Sequence, residues 1–450
     1  MSLDTHVRRT RPATSPPMVG RHGRTPLPAL ALPLAALMLM LSSDYKFRIR
    51  ELGESLSATP DLNTLAEIGI YGLTFFVLGR ALLLVGSKVS AATPLIFLTW
   101  LYAAYMCASV VWSVYPVLAL VRGWQFLVAA VLAAALARFA TRRDLHLLVH
   151  WYVVVVAGSV VFGMLVHFPR RRLMMDRFNW LYVHPVIAGT WLGLAVVLTL
   201  WLLLTRKERP GLPQLPAWAY LVVLAFATGG LIGTQTRGAI GGCTVGVAAL
   251  LLVRFRKQAV EVAALGLVAV TAVALLFLPT IVTFLSRGET SKELTSFNGR
   301  TPLWDQAYHL VLGRPLVGYG TTASRGLFFD DTGLGGAHNA AINVLVDGGL
   351  IGFALWGAVM LGIVRLCRPL LRTAVGRVDV PVIAAVLTFL FVNGGTTEGL
   401  GFVANVSAMW LFVLVGWVGV LCRRTPVLPS PRPPRPALVP RQPFLQGKRN

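Results

Sequence analysis

The sequence has little charge, little acid and little cysteine. Asp, Glu, Lys and Arg make up 13% of its 450 residues, against roughly a quarter in soluble domains. That shortfall excludes an ordinary soluble enzyme. The cysteines, Cys107, Cys243, Cys367 and Cys422, sit in or at the ends of apolar runs and form no C-x-x-C pair. Neither a metal site nor a disulfide framework follows from them, and they read as small core residues. Asp330, Asp331 and Asp347 do not form the spaced set an oxygen cage needs, so no metal and no cofactor is expected. Alternating polar and apolar strands are absent too, which excludes a membrane β-barrel.

Hydrophobic residues make up 56% of the chain. Runs near 20 apolar residues recur, enough to cross a ~30 Å hydrocarbon core as helix. They read as helices at Leu27–Leu41, Leu65–Val85, Pro94–Trp112, Val117–Leu136, Leu147–Val166, Val183–Leu204, Ala217–Ile232, Ala239–Val253, Val260–Phe284, Ile342–Val364, Val380–Val392 and Val403–Leu421. The expected fold is all-α, a polytopic bundle of about twelve transmembrane helices. The first run is short and follows a basic tail, but its small-x-small cleavage pattern is poor, so it is expected to stay as an uncleaved helix. The chain divides into a disordered basic cytoplasmic tail (1–26), helices 1–9 (27–285), a long extracytoplasmic loop (286–340), helices 10–12 (341–421) and a disordered Pro/Arg-rich cytoplasmic tail (422–450).

The formal net charge is +23, but no basic stretch comes with a folded nucleic-acid module, so nucleic acid is not an expected partner. Most bases fall where the positive-inside rule wants them, at Lys88, Arg138–Arg143, Arg206–Arg209, Arg254–Lys257 and Arg365–Arg377, on the side of both tails. There they set topology and touch anionic membrane lipids. The loop HFPRRRLMMDRFNW, with Arg170, Arg171, Arg172 and Arg177, and the 286–340 insert, with Arg287, Lys292, Arg300, Arg314 and Arg325, break that rule. Arg237 adds a third outer cation at the turn GTQTRGAIGG. Anionic lipid contact would explain them. So would a site for a diphosphate, whose oxygens guanidinium forks grip bidentately.

The insert is the one long polar interruption, and it ends on His338 just before the chain turns apolar again. Within it, Thr301 reads as an N-cap and Pro302 as N1 of a short amphipathic helix, Pro302 to Leu312. Leu303, Ala307, Leu310 and Val311 line its apolar face, and Gly313 with Pro315 stops it. A histidine at a helix start is often no more than a cap or a structural hydrogen-bonding group, and His184 and His309 read as structural. Arg80 and Arg122, within apolar runs, carry no assigned role.

HNAAINVLVDGGLIG (338–352) resembles the His-Asn, apolar helix, acid and spaced-glycine signature of the O-antigen ligase and polysaccharide polymerase (Wzy-type) superfamily. GRTPLWDQAYHLVLGRPLVGYG (299–320) is similar to the block before that histidine, QTRGA (235–239) to its Ser-Arg-Gly element, and DRFNWLYVHP (176–185) to its Arg-containing outer loop. The four blocks occur in family order over roughly residues 60 to 420. Thr236 replaces the usual Ser, Asp347 stands where Glu is common, and Val186 where Asn is frequent, which bears on the placement of Arg177.

The resemblance implies a GT-C-like glycosyltransferase, multi-pass in the bacterial cytoplasmic (inner) membrane with its active site on the extracytoplasmic face. It would move a glycan from a polyprenyl-diphosphate carrier to the hydroxyl of a glycan or glycolipid acceptor, inverting and without metal, in surface polysaccharide or exopolysaccharide biosynthesis. His338 is then the candidate base, and Arg237, Arg177 and Arg300 the candidate diphosphate ligands. Ligase, polymerase and protein transferase share these blocks, so the acceptor stays open. The alternatives are a twelve-helix polysaccharide or lipid-linked glycan transporter or flippase, for which no half-to-half repeat is visible, and a membrane scaffold, which leaves the outward arginines without a purpose.

Overall fold

A computed structural model of the chain describes residues 27–48, 61–85, 92–166, 177–181, 183–286 and 300–424. Residues 1–26 and 425–450 of the tails, Lys88, Arg170–Arg172, Arg287 and Lys292 lie outside the described residues, while 422–424, expected as the start of the second tail, continue the last helix. Each of the twelve apolar runs is a helix: α1 (Ala31–Asp44), α2 (Leu62–Val85), α3 (Thr93–Ala108), α4 (Pro116–Phe139), α5 (Arg142–Leu165), α6 (Pro185–Leu204), α7 (Ala217–Gly233), α8 (Arg237–Arg254), α9 (Ala259–Ser286), α12 (Ala340–Leu370), α13 (Ala374–Gly394) and α14 (Val406–Arg424). The insert adds α10 (Arg300–Gly313) and α11 (Ala323–Thr332). Among the described residues nine helices are long and apolar enough to span a membrane, or ten if a pair bent by 69° within the α9 region is one span. That bend lies one turn before Pro279, whose ring meets the carbonyl four residues back. The remaining two, α1 and α7, are apolar but shorter, at 14 and 17 residues.

The insert helix begins at Arg300, so Thr301 lies inside its first turn rather than at its cap. Pro302 is still tolerated, because the first four N–H groups of any helix have no intrahelical acceptor. The helix stops at Gly313, and Leu303 and Ala307 are buried on the apolar face.

α6 and α14 form the centre of the bundle, while α2 and α9 present apolar side chains outward along most of their length. Trp180, Trp191, Trp201, Trp410 and Trp417 are fully buried, and Tyr152 stacks on Trp191 at 5.0 Å. Close helix approach rests on small residues, as expected where lipid removes the hydrophobic drive between helices. Gly416 and Gly419 of α14 face Leu136 and Ala137 of α4 with no room for a Cβ. Gly238, Gly242 and Gly246 recur every four residues along α8 and meet Thr396, Asn393 and Phe389, on or just beyond α13. This glycine row carries the first turn of α8 to the end of α13.

Buried carboxylates pin the two ends of the bundle. Where α1 ends, Asp44 accepts from the Trp191 indole at 2.9 Å and from the Val406 amide that starts α14 at 2.8 Å. At the opposite end, Asp379 accepts from Arg142 at 2.6 and 2.8 Å and from the Trp417 indole at 3.3 Å.

α12 is broken. Gly349 has φ 59° and ψ −163°, at the edge of a region open essentially to glycine alone. Residues 315–320 of the insert run beside the break and take up the freed backbone groups. Tyr319 N–H donates to Val346 O at 2.9 Å and Gly320 N–H to Asp347 O at 2.9 Å, while Leu350 and Ile351 donate to Pro315 O and Leu316 O at 2.8 and 3.2 Å. The Tyr105 hydroxyl caps Gly348 O at 2.8 Å.

Candidate active site

The segment 336–339 connects the insert to α12, and its backbone is held from several sides. The Trp304 indole donates to Ala337 O at 3.1 Å, and the Ala337 amide donates to Asn343 Oδ1 at 3.0 Å. Asn339, not His338, is the N-cap of α12: its Oδ1 accepts from the amides of Ala341 and Ile342 at 3.0 and 3.2 Å. Its Nδ2 donates to Gly395 O at 3.3 Å, tying the segment to the end of α13. The capping role is therefore filled, and the His338 ring is not spent on it. His338 itself has φ 51°, a left-handed conformation uncommon for a side-chain-bearing residue and characteristic of functional positions when the surroundings enforce it. By contrast, His184 does cap its own helix, its Nδ1 accepting from the Val186 amide at 3.2 Å.

Glu398 lies beside the histidine. Its Oε1 accepts from the His338 amide at 3.3 Å and stands 3.5 Å from His338 Nδ1. The side chains are 40% and 19% exposed for His338 and Glu398. A Cβ on Gly336 would fall 2.7 Å from Glu398 Cδ, so the carboxylate reaches the histidine through space that a glycine leaves open. Burial and the Arg300 guanidinium push the His338 pKa below its ordinary value. Burial raises Glu398 to about 7, against the opposing pull of Arg325, the His338 amide and Arg300. The cluster thus combines an imidazole inclined to be neutral, a carboxyl poised near neutrality and two insert guanidiniums.

Arg177 and Arg237 occupy a second group at the same end of the bundle. Arg177 Nε donates to Thr234 O at 2.8 Å and its Nη2 to Thr236 Oγ1 at 2.9 Å, fixing the turn that precedes Arg237, first residue of α8. Gly238 then packs on Thr396, two residues before Glu398. The structure therefore brings His338 and Arg300 into one electrostatic cluster, and links Arg237 and Arg177 to it through the α8 glycine row and the 395–398 loop. Asp347 points elsewhere, its Oδ1 accepting from the Ser324 amide in the first turn of α11 at 2.7 Å.

Sequence reading passed over Glu398, although it is the sole acidic residue after Asp379. Arg325 was seen only as one of the outer cations, and the four-residue glycine spacing of α8 was legible but unread.

A polytopic helical membrane protein with a His–Glu and arginine cluster at one end of its bundle is the class these features define. Residues 222–357 match the family model Wzy_C, described as O-Antigen ligase. The chain is also 32% identical over 166 residues to an O-antigen ligase of Pseudomonas aeruginosa, a match covering 36% of this chain and 36% of that protein. The alignment thus spans about a third of the relative's length. These findings support the resemblance to the O-antigen ligase and Wzy-type superfamily. The family-model match takes in QTRGA, the 299–320 block and HNAAINVLVDGGLIG, and leaves the 176–185 block outside it.

Proposed function

We propose that the chain is a membrane glycosyltransferase that moves a glycan from a polyprenyl-diphosphate carrier to an acceptor hydroxyl. The observation that carries this reading is the placement of His338, uncommitted to capping and met by Glu398, in a segment whose neighbours Trp304, Asn343 and Asn339 hold, at the bundle end where Arg237 starts α8. His338 accepts the hydroxyl proton as the acceptor oxygen bonds to the anomeric carbon and the bond from that carbon to the phosphate oxygen breaks. The electron pair of that bond leaves with the carrier diphosphate. Arg237 and Arg300 take up the growing charge, with Arg177 holding the turn that aims Arg237. A single displacement of this kind inverts the anomeric centre, and the guanidiniums supply the countercharge that a metal supplies elsewhere. Acceptors of the ligase or polymerase kind both fit, in surface polysaccharide or exopolysaccharide assembly at the outer face of the cytoplasmic membrane.

The test is transfer in proteoliposomes from labelled polyprenyl-diphosphate glycan isolated from cells lacking the protein. His338→Ala is expected to lose on the order of 10²–10⁴-fold in rate while still retaining the labelled donor. Product formed at the wild-type rate by this variant refutes the base assignment.

A further inference from the structure

We propose that Glu398 is the positioning residue for His338: its carboxylate holds the imidazole by Nδ1, leaves Nε2 as the free nitrogen for the acceptor hydroxyl, and stabilises the imidazolium that forms. The inference rests on the reading of His338 as the base. Three observations carry it beyond that reading. The same oxygen, Oε1, meets both the His338 amide and Nδ1, at 3.3 and 3.5 Å; a carboxylate shared between backbone and ring fixes the ring relative to the chain. Gly336, at φ 138°, leaves open the space the carboxylate crosses. His338 is held in a left-handed backbone conformation while Asn339 does the capping, so the segment's strain serves the direction of this ring.

An imidazole carries one N–H when neutral, and the partner of one nitrogen decides which nitrogen can accept a proton. With Glu398 at Nδ1, the Nδ1–H tautomer is favoured and Nε2 is basic. When Nε2 takes the hydroxyl proton, the new positive charge lies beside Glu398, whose ionised form, favoured above about pH 7, offsets it. Arg300 and Arg325 act on the pair from the insert helices, and Asp347 of α12, its Oδ1 bound to the Ser324 amide, feels the charge of Glu398 through space. The arginines oppose charging of the imidazole, which makes a local carboxylate necessary if His338 is to accept a proton at all. A 3.5 Å approach is long for a closed hydrogen bond, and such contacts tighten when substrate binds.

The experiment uses the full chain in proteoliposomes with the labelled carrier glycan, comparing wild type, Glu398→Gln, Glu398→Asp, His338→Ala and the double variant His338→Ala/Glu398→Gln. Glu398→Gln is expected to lower kcat by about 10²-fold or more, with donor KM unchanged and the acid limb of the pH–rate profile moved to lower pH, because the imidazolium loses its countercharge. Glu398→Asp is expected to recover part of the loss. The double variant is expected to be no slower than His338→Ala alone, since a group acting through another has nothing left to do once that group is gone. Glu398→Gln at wild-type rate with His338→Ala inactive overturns the positioning role and leaves the base assignment standing; a wild-type rate in His338→Ala overturns both. A raised donor KM at unchanged kcat, or losses that add in the double variant, assigns Glu398 to the arginines or to the fold and also overturns the proposal. Retention of the labelled donor by Glu398→Gln shows that the variant is folded. Gly336→Ala, which moves the carboxylate without removing it, is expected to reproduce the shift of the acid limb, and an unmoved limb counts against the geometry.

Discussion

Replacing Gly349 by alanine tests whether the break in α12 and the insert are one structure. The substitution adds a single methyl group. At φ 59° and ψ −163° an alanine is strained by about 1–3 kcal/mol. The new Cβ would also lie 2.6 Å from Val317 N, and closer still to the Leu316 carbonyl, so residues 315–317 must move away. That movement opens at least the two nearest bonds, Leu350 N–H to Pro315 O and Ile351 N–H to Leu316 O, worth about 1 kcal/mol each. Docking of the insert is then weakened by about 3–5 kcal/mol, on the order of a hundredfold to a few thousandfold in its equilibrium. Trypsin reads this directly, because cleavage of an opened segment follows the open population. In detergent, cutting after Arg325 should accelerate by that factor, with loss of glycan transfer; the Arg314–Pro315 bond resists trypsin. Gly357→Ala is the control: it lies on the same helix, and a Cβ there meets nothing within 4 Å. Gly349→Ala cut at the wild-type rate would refute the view that these backbone bonds hold the insert.

Two further outcomes follow from the charges. Burial and the Arg300 charge depress the His338 pKa, so Arg300→Ala at saturating donor should move the acid limb of transfer up, opposite in sign to Glu398→Gln; a limb that stays put in pH–rate measurements contradicts the contact. Asp379→Asn strips Arg142 of its carboxylate at the far end of the bundle, which should cost about 3–5 kcal/mol of stability, seen as a lowered Tm in detergent, while kcat and KM of the folded fraction stay as in wild type; altered kinetics would show that the two ends are coupled.

The helices were legible because lipid solvent demands them. A chain with 56% hydrophobic residues and recurring apolar runs has no other way to satisfy its backbone in hydrocarbon, and each of the twelve runs read from sequence is a helix. His338 was legible as a polar residue at the edge of the longest polar interruption. Its distinction from Asn339 was not, since His-Asn before an apolar run does not say which of the two caps. Glu398 was hidden for a different reason: it lies 60 residues from His338 in sequence, and only the packing of α8 and α12 against the end of α13 brings it there. Arg177 reads from sequence as a diphosphate ligand; its Nε and Nη2 bonds to Thr234 and Thr236 also tie it to the turn before Arg237, a link that spacing could not reveal.

The break in α12 also accounts for two separate glycine signals in the sequence. A helix opened within or near hydrocarbon exposes backbone groups that cost several kcal/mol each if left unpaired. Here the partners come from PLVGYG (315–320), earlier in the chain, and the two segments approach so closely that neither tolerates a side chain at the contact. A Cβ on Gly318 would fall 2.5 Å from Asp347 O, and one on Gly349 would meet Leu316 and Val317. Each glycine thus exists for the other segment's backbone, which gives a mechanical reason for the PLVGYG and DGGLIG blocks to occur together in one chain. His338 lies on the span of chain between these two stitched segments. Its placement follows from a closed bracket of backbone bonds rather than from a loose loop, and the insert cannot swing away as a lid without also unsatisfying the broken helix beneath it.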